Sequence, residues 1–152
     1  LLFGFALIGL SAVAGAQVSS NALGARLYGG DAYSGAELSY QKGLNDRNRL
    51  ELDASFGFSN DFTRVALVGI YHWDWNIVGG FNWYVGPGAT IAYDNFSDNT
   101  YVNVGVGGQI GIEYKFRDLP LLVSLDSRPI WDFLGDVNGL GWGAALGIRF
   151  TW

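Results

Sequence analysis

Chemistry in this chain would first be sought at a lone histidine, a close pair of carboxylates and a run of glycines. His72 stands between Tyr71 and Trp73 and is followed by Asp74. To act as a general base, as in lipid-modifying enzymes built on small barrels, it would need a nucleophilic serine within hydrogen-bond reach. At the end of an aromatic-rich strand, interfacial packing among those aromatics is the simpler role. Glu51 and Asp53, two residues apart, share one strand face as a catalytic carboxylate pair would. With arginines in register elsewhere, ion pairing accounts for them more simply. Gly105-x-Gly107-Gly108 has the composition of a phosphate loop, but it lies inside a strand with no helix after it, so no helix N-terminus is there to receive an anion. The chain shows no Gly-x-Ser-x-Gly elbow, P-loop or metal-ligand spacing. It also lacks cysteine, which removes disulfides and thiolate metal sites. The expectation is a protein with no catalytic residues, no metal and no cofactor.

The elements that would position these residues are strands. Residues 141–152, GWGAALGIRFTW, alternate strictly. Trp142, Ala144, Leu146, Ile148, Phe150 and Trp152 fall on one face, and Gly141, Gly143, Ala145, Gly147, Arg149 and Thr151 on the other. A period of two is that of a strand. A wholly apolar face with aromatic ends, opposite a face of small residues and one charge, matches a membrane barrel strand whose large face meets lipid. Read the same way, the chain yields eight strands, near 21–28, 34–41, 49–58, 63–73, 78–93, 101–116, 121–128 and 141–152. In the fourth, Val65, Leu67, Tyr71 and Trp73 are expected outward, with Arg64 and His72 inward. Pro87 predicts a bulge within Gly86-Pro87-Gly88. Short connections and an even strand count predict an all-β fold, an eight-stranded antiparallel up-and-down transmembrane β-barrel.

If the small, polar face is the lumen, it carries Arg26, Arg64, Lys115, Arg128 and Arg149 against Glu37, Glu51, Asp53, Glu113 and Asp126. Five against five is neutral, and buried charges persist only when paired. The sequence therefore predicts an interior salt-bridge network. Side chains just fill an eight-stranded barrel, so Tyr28, Tyr84 and the ion pairs would obstruct a continuous pore. The remaining charges fall in connections: Asp31, Asp61, Asp94, Asp98, Asp132 and Asp136 on one side, and Lys42, Asp46, Arg47, Arg49, Asp74, Arg117 and Asp118 on the other. An acidic rim could hold divalent cations that bridge lipopolysaccharide phosphates, although aspartates as turn formers are the plainer account.

The totals agree with a membrane barrel. Of 152 residues only 15% are charged, while glycine (23) and aromatics (Trp 6, Tyr 8, Phe 10) abound; about 25% charged is usual in soluble domains. The net charge of −5 gives no support to nucleic-acid binding. Residues 1–16, LLFGFALIGLSAVAGA, read as a secretory signal peptide closing on a small-x-small site, its charged n-region lying ahead of Leu1. The barrel domain would then occupy residues 17–152.

Two stretches resemble a known family. Residues 83–89 (WYVGPGA) resemble a segment of small outer-membrane β-barrel proteins common in Bacteroidota. Residues 111–116 (GIEYKF), 118–121 (DLPL) and 124–129 (SLDSRP), with the terminal GIRFTW, are similar to a run in the same proteins. The resemblance covers roughly the second half of the barrel. It implies an OmpX- or OmpA-like barrel in the bacterial outer membrane. The expected partners are outer-membrane lipid and lipopolysaccharide, and the expected state is a monomer. The resemblance also implies insertion by the barrel assembly machinery, which would read Trp142, Leu146, Ile148, Phe150 and Trp152. No catalytic residues come with it. The competing expectation is a soluble secreted ligand-binding barrel of lipocalin or streptavidin type. There the same large apolar residues would point inward.

Overall fold

The computed structural model describes residues 18–30, 34–59, 62–96, 99–133, 139–141 and 143–152. The expected signal peptide, Trp142, and Asp31, Asp61, Asp98 and Asp136 lie outside the described residues.

The alternating sequence forms ten strand segments: β1 Asn21–Gly30, β2 Ser34–Gly43, β3 Asn48–Phe58, β4 Phe62–Val78, β5 Phe81–Phe96, β6 Thr100–Lys115, β7 Leu121–Ser127, β8 Ile130–Asp132, β9 Gly139–Gly141 and β10 Gly143–Thr151. Both β7 and β8 pair with β6, and β8 pairs with β9 while β7 pairs with β10. Each of these couples is therefore one interrupted strand. All pairings are antiparallel, β5 pairs with β6 and β10 returns to β1. The result is a closed barrel of eight strands, with no edge strand among the described residues.

Closure is staggered. From Gly24 the paired residues run through Ser39, Asp53, Val68, Thr90, Gly105 and Asp132 to Gly139, whereas Gly24's own partner on that last strand is Arg149. One circuit thus climbs about ten residues, the shear that tilts strands in a small barrel. One end, the proximal rim, holds the start of β1, the end of β10 and the β2–β3, β4–β5 and β6–β7 turns. The β1–β2, β3–β4, β5–β6 and β8–β9 connections form the distal rim.

Facing follows parity. Leu146, Ile148 and Phe150 are each more than half exposed, while Ala145 and Arg149, on the alternate positions, are buried. In β4, Val65, Leu67 and Trp73 point outward and Arg64 and His72 inward, as expected. Its doubly apolar middle arises because Ala66, Val68 and Ile70 also pack inward. These facings place the large apolar residues on the outside, the reverse of a soluble ligand-binding barrel.

Three sequence expectations need correction. No bulge occurs at Pro87: the β4–β5 register is the same at Ile70↔Gly88 and Trp73↔Val85, and the shift falls instead at Asn76/Val78. The proline lacks an N–H, so the ladder lapses opposite Tyr71 and His72 without adding a residue. Gly86 lets the Tyr71 carbonyl press directly against the backbone there. The fourth strand runs on to Val78 rather than ending at Trp73. The seventh resumes beyond Arg128-Pro129 as Ile130–Asp132.

Candidate functional site: a charged lumen

The inward face gathers its charges into three tiers. Nearest the proximal rim, Arg49 from the start of β3 donates from Nη1 to Glu113 Oε2 at 3.1 Å, and its Nη2 meets Glu113 Oε1. Arg49 Nη1 also lies 3.3 Å from Asp74 Oδ2. Arg49 Nε donates to His72 Nδ1 at 3.0 Å, and His72 Nε2 lies 2.8 Å from Gln109 Oε1. A guanidinium has only donors, so Nδ1 must be the bare nitrogen and Nε2 carries the proton it gives Gln109. The Tyr84 ring closes the tier, 4.7 Å from the His72 ring and 4.8 Å below the Arg49 guanidinium.

The middle tier is the largest. Arg128 donates from Nη1 to both oxygens of Glu37, at 2.9 and 3.1 Å, and from Nη2 to Glu51 at 3.1 Å and to Asp53. Arg26 joins Glu37 to Asp126, and the Tyr84 hydroxyl donates to Asp126 at 3.1 Å. Arg149 donates to Ser39 at 2.9 Å, Ser124 at 3.0 Å and Glu51 at 3.3 Å. Gln41 adds a 2.6 Å bond to Glu51. Space for these long side chains comes from small neighbours. A Cβ on Gly111 would sit 2.6 Å from both Asp126 and the Tyr84 hydroxyl. At the distal end, Arg64 spans Asp94 and Asp132, with Asn103 donating to Asp94 at 3.3 Å.

Of the residues expected in the lumen, Arg26, Glu37, Glu51, Asp53, Arg64, Glu113, Asp126, Arg128 and Arg149 all occur in these contacts. Lys115 is half-buried at the proximal rim. Four further charges belong here that the sequence reading put in connections: Arg49, Asp74, Asp94 and Asp132 are all buried on the inward face. Strand parity identifies each. Arg49 is in phase with Glu51, Asp74 with His72, Asp94 with Tyr84 and Asp132 with Asp126. The strands are longer than drawn, so their ends carry inward residues. Consequently the inward acids outnumber the arginines: Arg26, Arg49, Arg64, Arg128 and Arg149 face Glu37, Glu51, Asp53, Asp74, Asp94, Glu113, Asp126 and Asp132. His72 is likewise corrected. It is wholly buried in the lumen, neither an interfacial aromatic partner nor a base at a rim.

Outside, aromatic residues crowd the proximal rim. Trp75 stacks on Trp83 at 4.5 Å, Phe81 and Tyr114 meet at 4.7 Å, and Tyr114 and Phe116 at 4.8 Å. Phe150 and Trp152 are 6.2 Å apart and, with Leu146 and Ile148, form an outward ridge on the last strand.

No family model matches the chain, and no curated protein matches it in sequence. Solved structures do match in shape. Neisserial surface protein A aligns with a TM-score of 0.71 at 13% identity, over 87% of this chain and 96% of its own. The N-terminal β-barrel domain of Pseudomonas aeruginosa OprF aligns at 0.56 and 19% identity, over 89% and 100%. Ail, the attachment invasion locus protein of Yersinia pestis, aligns at 0.55 and 12%, over 88% and 97%. All three are small outer-membrane barrels of eight strands. In fold, this chain is similar to them.

Proposed function

We propose that the chain is an integral outer-membrane barrel protein without catalytic activity. It would serve a structural or surface-interaction role, its lumen closed by the arginine–carboxylate network. The observation that carries this reading is the sorting of faces: Leu146 is 58% exposed while Arg149, three residues on, is 1% exposed. Burying the charged face while exposing the apolar one would be unfavourable in water. It is favourable where lipid meets the outside. The network fills the cross-section at three heights, which supports a closed interior over a diffusion pore. The outward ridge of Leu146, Ile148, Phe150 and Trp152 is the segment that the assembly machinery would read. Assignment to the Bacteroidota group rests on residues 83–89 and 111–129. Contact with lipopolysaccharide and the monomeric state belong to the same proposal.

Refolding into detergent micelles tests it. Unboiled protein should migrate differently from boiled protein on a gel, and planar bilayers should show no steady pore. A chain that folds as a soluble monomer without detergent would overturn the reading.

A further inference from the structure

The chain's nine Lys and Arg residues divide without remainder. Five arginines are in the lumen, each held to a carboxylate. The other four, Lys42, Arg47, Lys115 and Arg117, all stand on the proximal rim. The distal connections contain no Lys or Arg in sequence. Lys42, Arg47 and Arg117 are exposed, and among the described residues none has a carboxylate within ion-pair distance. Lys42 makes a 3.5 Å contact to Asn21. Asp46 and Asp118 are the exposed acids on this rim, so its balance is positive although the whole chain is at −5.

Geometry narrows the partner. Arg47 lies in the β2–β3 turn and Arg117 in the β6–β7 turn, four strands apart on a ring of eight, hence on opposite sides of the barrel. A small soluble anion would not reach both; a lipid leaflet surrounding the barrel does. Each turn also carries an exposed apolar tip beside its arginine, Leu44 (53% exposed) and Leu119 (55% exposed). The aromatic ring pairs sit just above. Apolar tip, aromatic belt and cation together match the depth profile of a headgroup interface.

We propose that the proximal rim is a docking surface for anionic phospholipid headgroups, recruited by Lys42, Arg47 and Arg117. This inference rests on the membrane reading above. Basic residues near an anionic leaflet attract it electrostatically, and the attraction fades within a Debye length.

The test uses the full chain refolded first into phosphatidylcholine vesicles, with insertion checked by heat-modifiability. It is then refolded into mixed phosphatidylcholine–phosphatidylglycerol bilayers and released for native mass spectrometry, which counts retained lipids. Phosphatidylglycerol should be enriched over its bulk share by about twofold or more, and enrichment should fall in high salt. The Lys42→Gln/Arg47→Gln/Arg117→Gln variant should keep its gel shift yet retain lipids in bulk proportion. Asp46→Asn/Asp118→Asn should raise the enrichment. Retention at bulk share in the native chain, or enrichment that survives the triple variant, overturns the docking surface alone. Failure to insert into phosphatidylcholine overturns the membrane reading and this inference with it.

Discussion

Arg128 in the lumen and Arg47 on the proximal rim are the same residue type in opposite circumstances. Arg128 touches three carboxylates, and its side chain is about nine-tenths buried. Arg47 is exposed and has no ion-pair partner among the described residues. The difference teaches where charge carries fold energy in a barrel with its polar side inward. A charge removed from water must be matched by partners, so deleting one member strands the rest. A charge left in water is screened, and its fold contribution is small.

Between lumen and rim, the largest contrast should come from Arg128→Ala, which leaves Glu37, Glu51 and Asp53 short of a cation. Unfolding by urea in detergent should show a loss of about 3–5 kcal/mol, the usual result of breaking a buried pair. Arg47→Ala should leave the midpoint where it was. Equal shifts in the two variants would erase the contrast.

Slightly smaller is the effect of a charge on the lipid face. Leu146→Arg, near the middle of the last strand's outward ridge, should cost about 2–4 kcal/mol in a bilayer. Leu44→Arg, at an exposed turn, should be tolerated. A harmless Leu146→Arg would mean that this face does not meet lipid.

Tyr84→Phe sharpens the comparison within the lumen. It removes only the 3.1 Å bond to Asp126 and keeps the ring against His72 and Arg49. Its cost should be about 1–3 kcal/mol, the range for leaving a buried acceptor short of a bond. Smallest of all, Gly69→Ala should stay near neutral, since a Cβ there finds nothing closer than 3.6 Å. Gly86→Ala would instead drive into the Tyr71 carbonyl and should fail to give a heat-modifiable barrel.

Alternation alone made the eight strands and the facing of nearly every residue legible. What it missed lay at strand ends and at irregularities. Asp94 and Asp132 look like turn residues because aspartate favours turns, yet ladder pairing carries β5 past the first and β8 as far as the second. Pro87 looks like a bulge because proline breaks ladders, but here one lapse in the β4–β5 ladder suffices. His72 resembles a rim residue only if β4 stops at Trp73. The network's partners were not legible at all. Which arginine reaches which carboxylate depends on the stagger around the ring, and Arg26 to Asp126 spans a hundred positions of sequence.

The facing of the last strand tests the central claim most directly. The chain has no native cysteine, so spin labels can be placed singly from residue 144 to 150 in the refolded, membrane-inserted protein. Collision with oxygen, which concentrates in the bilayer, should peak at Ala144, Leu146, Ile148 and Phe150 and dip at Ala145, Gly147 and Arg149. The opposite phase, or no two-residue period, would contradict a barrel that turns its apolar face to lipid and its charges to the lumen.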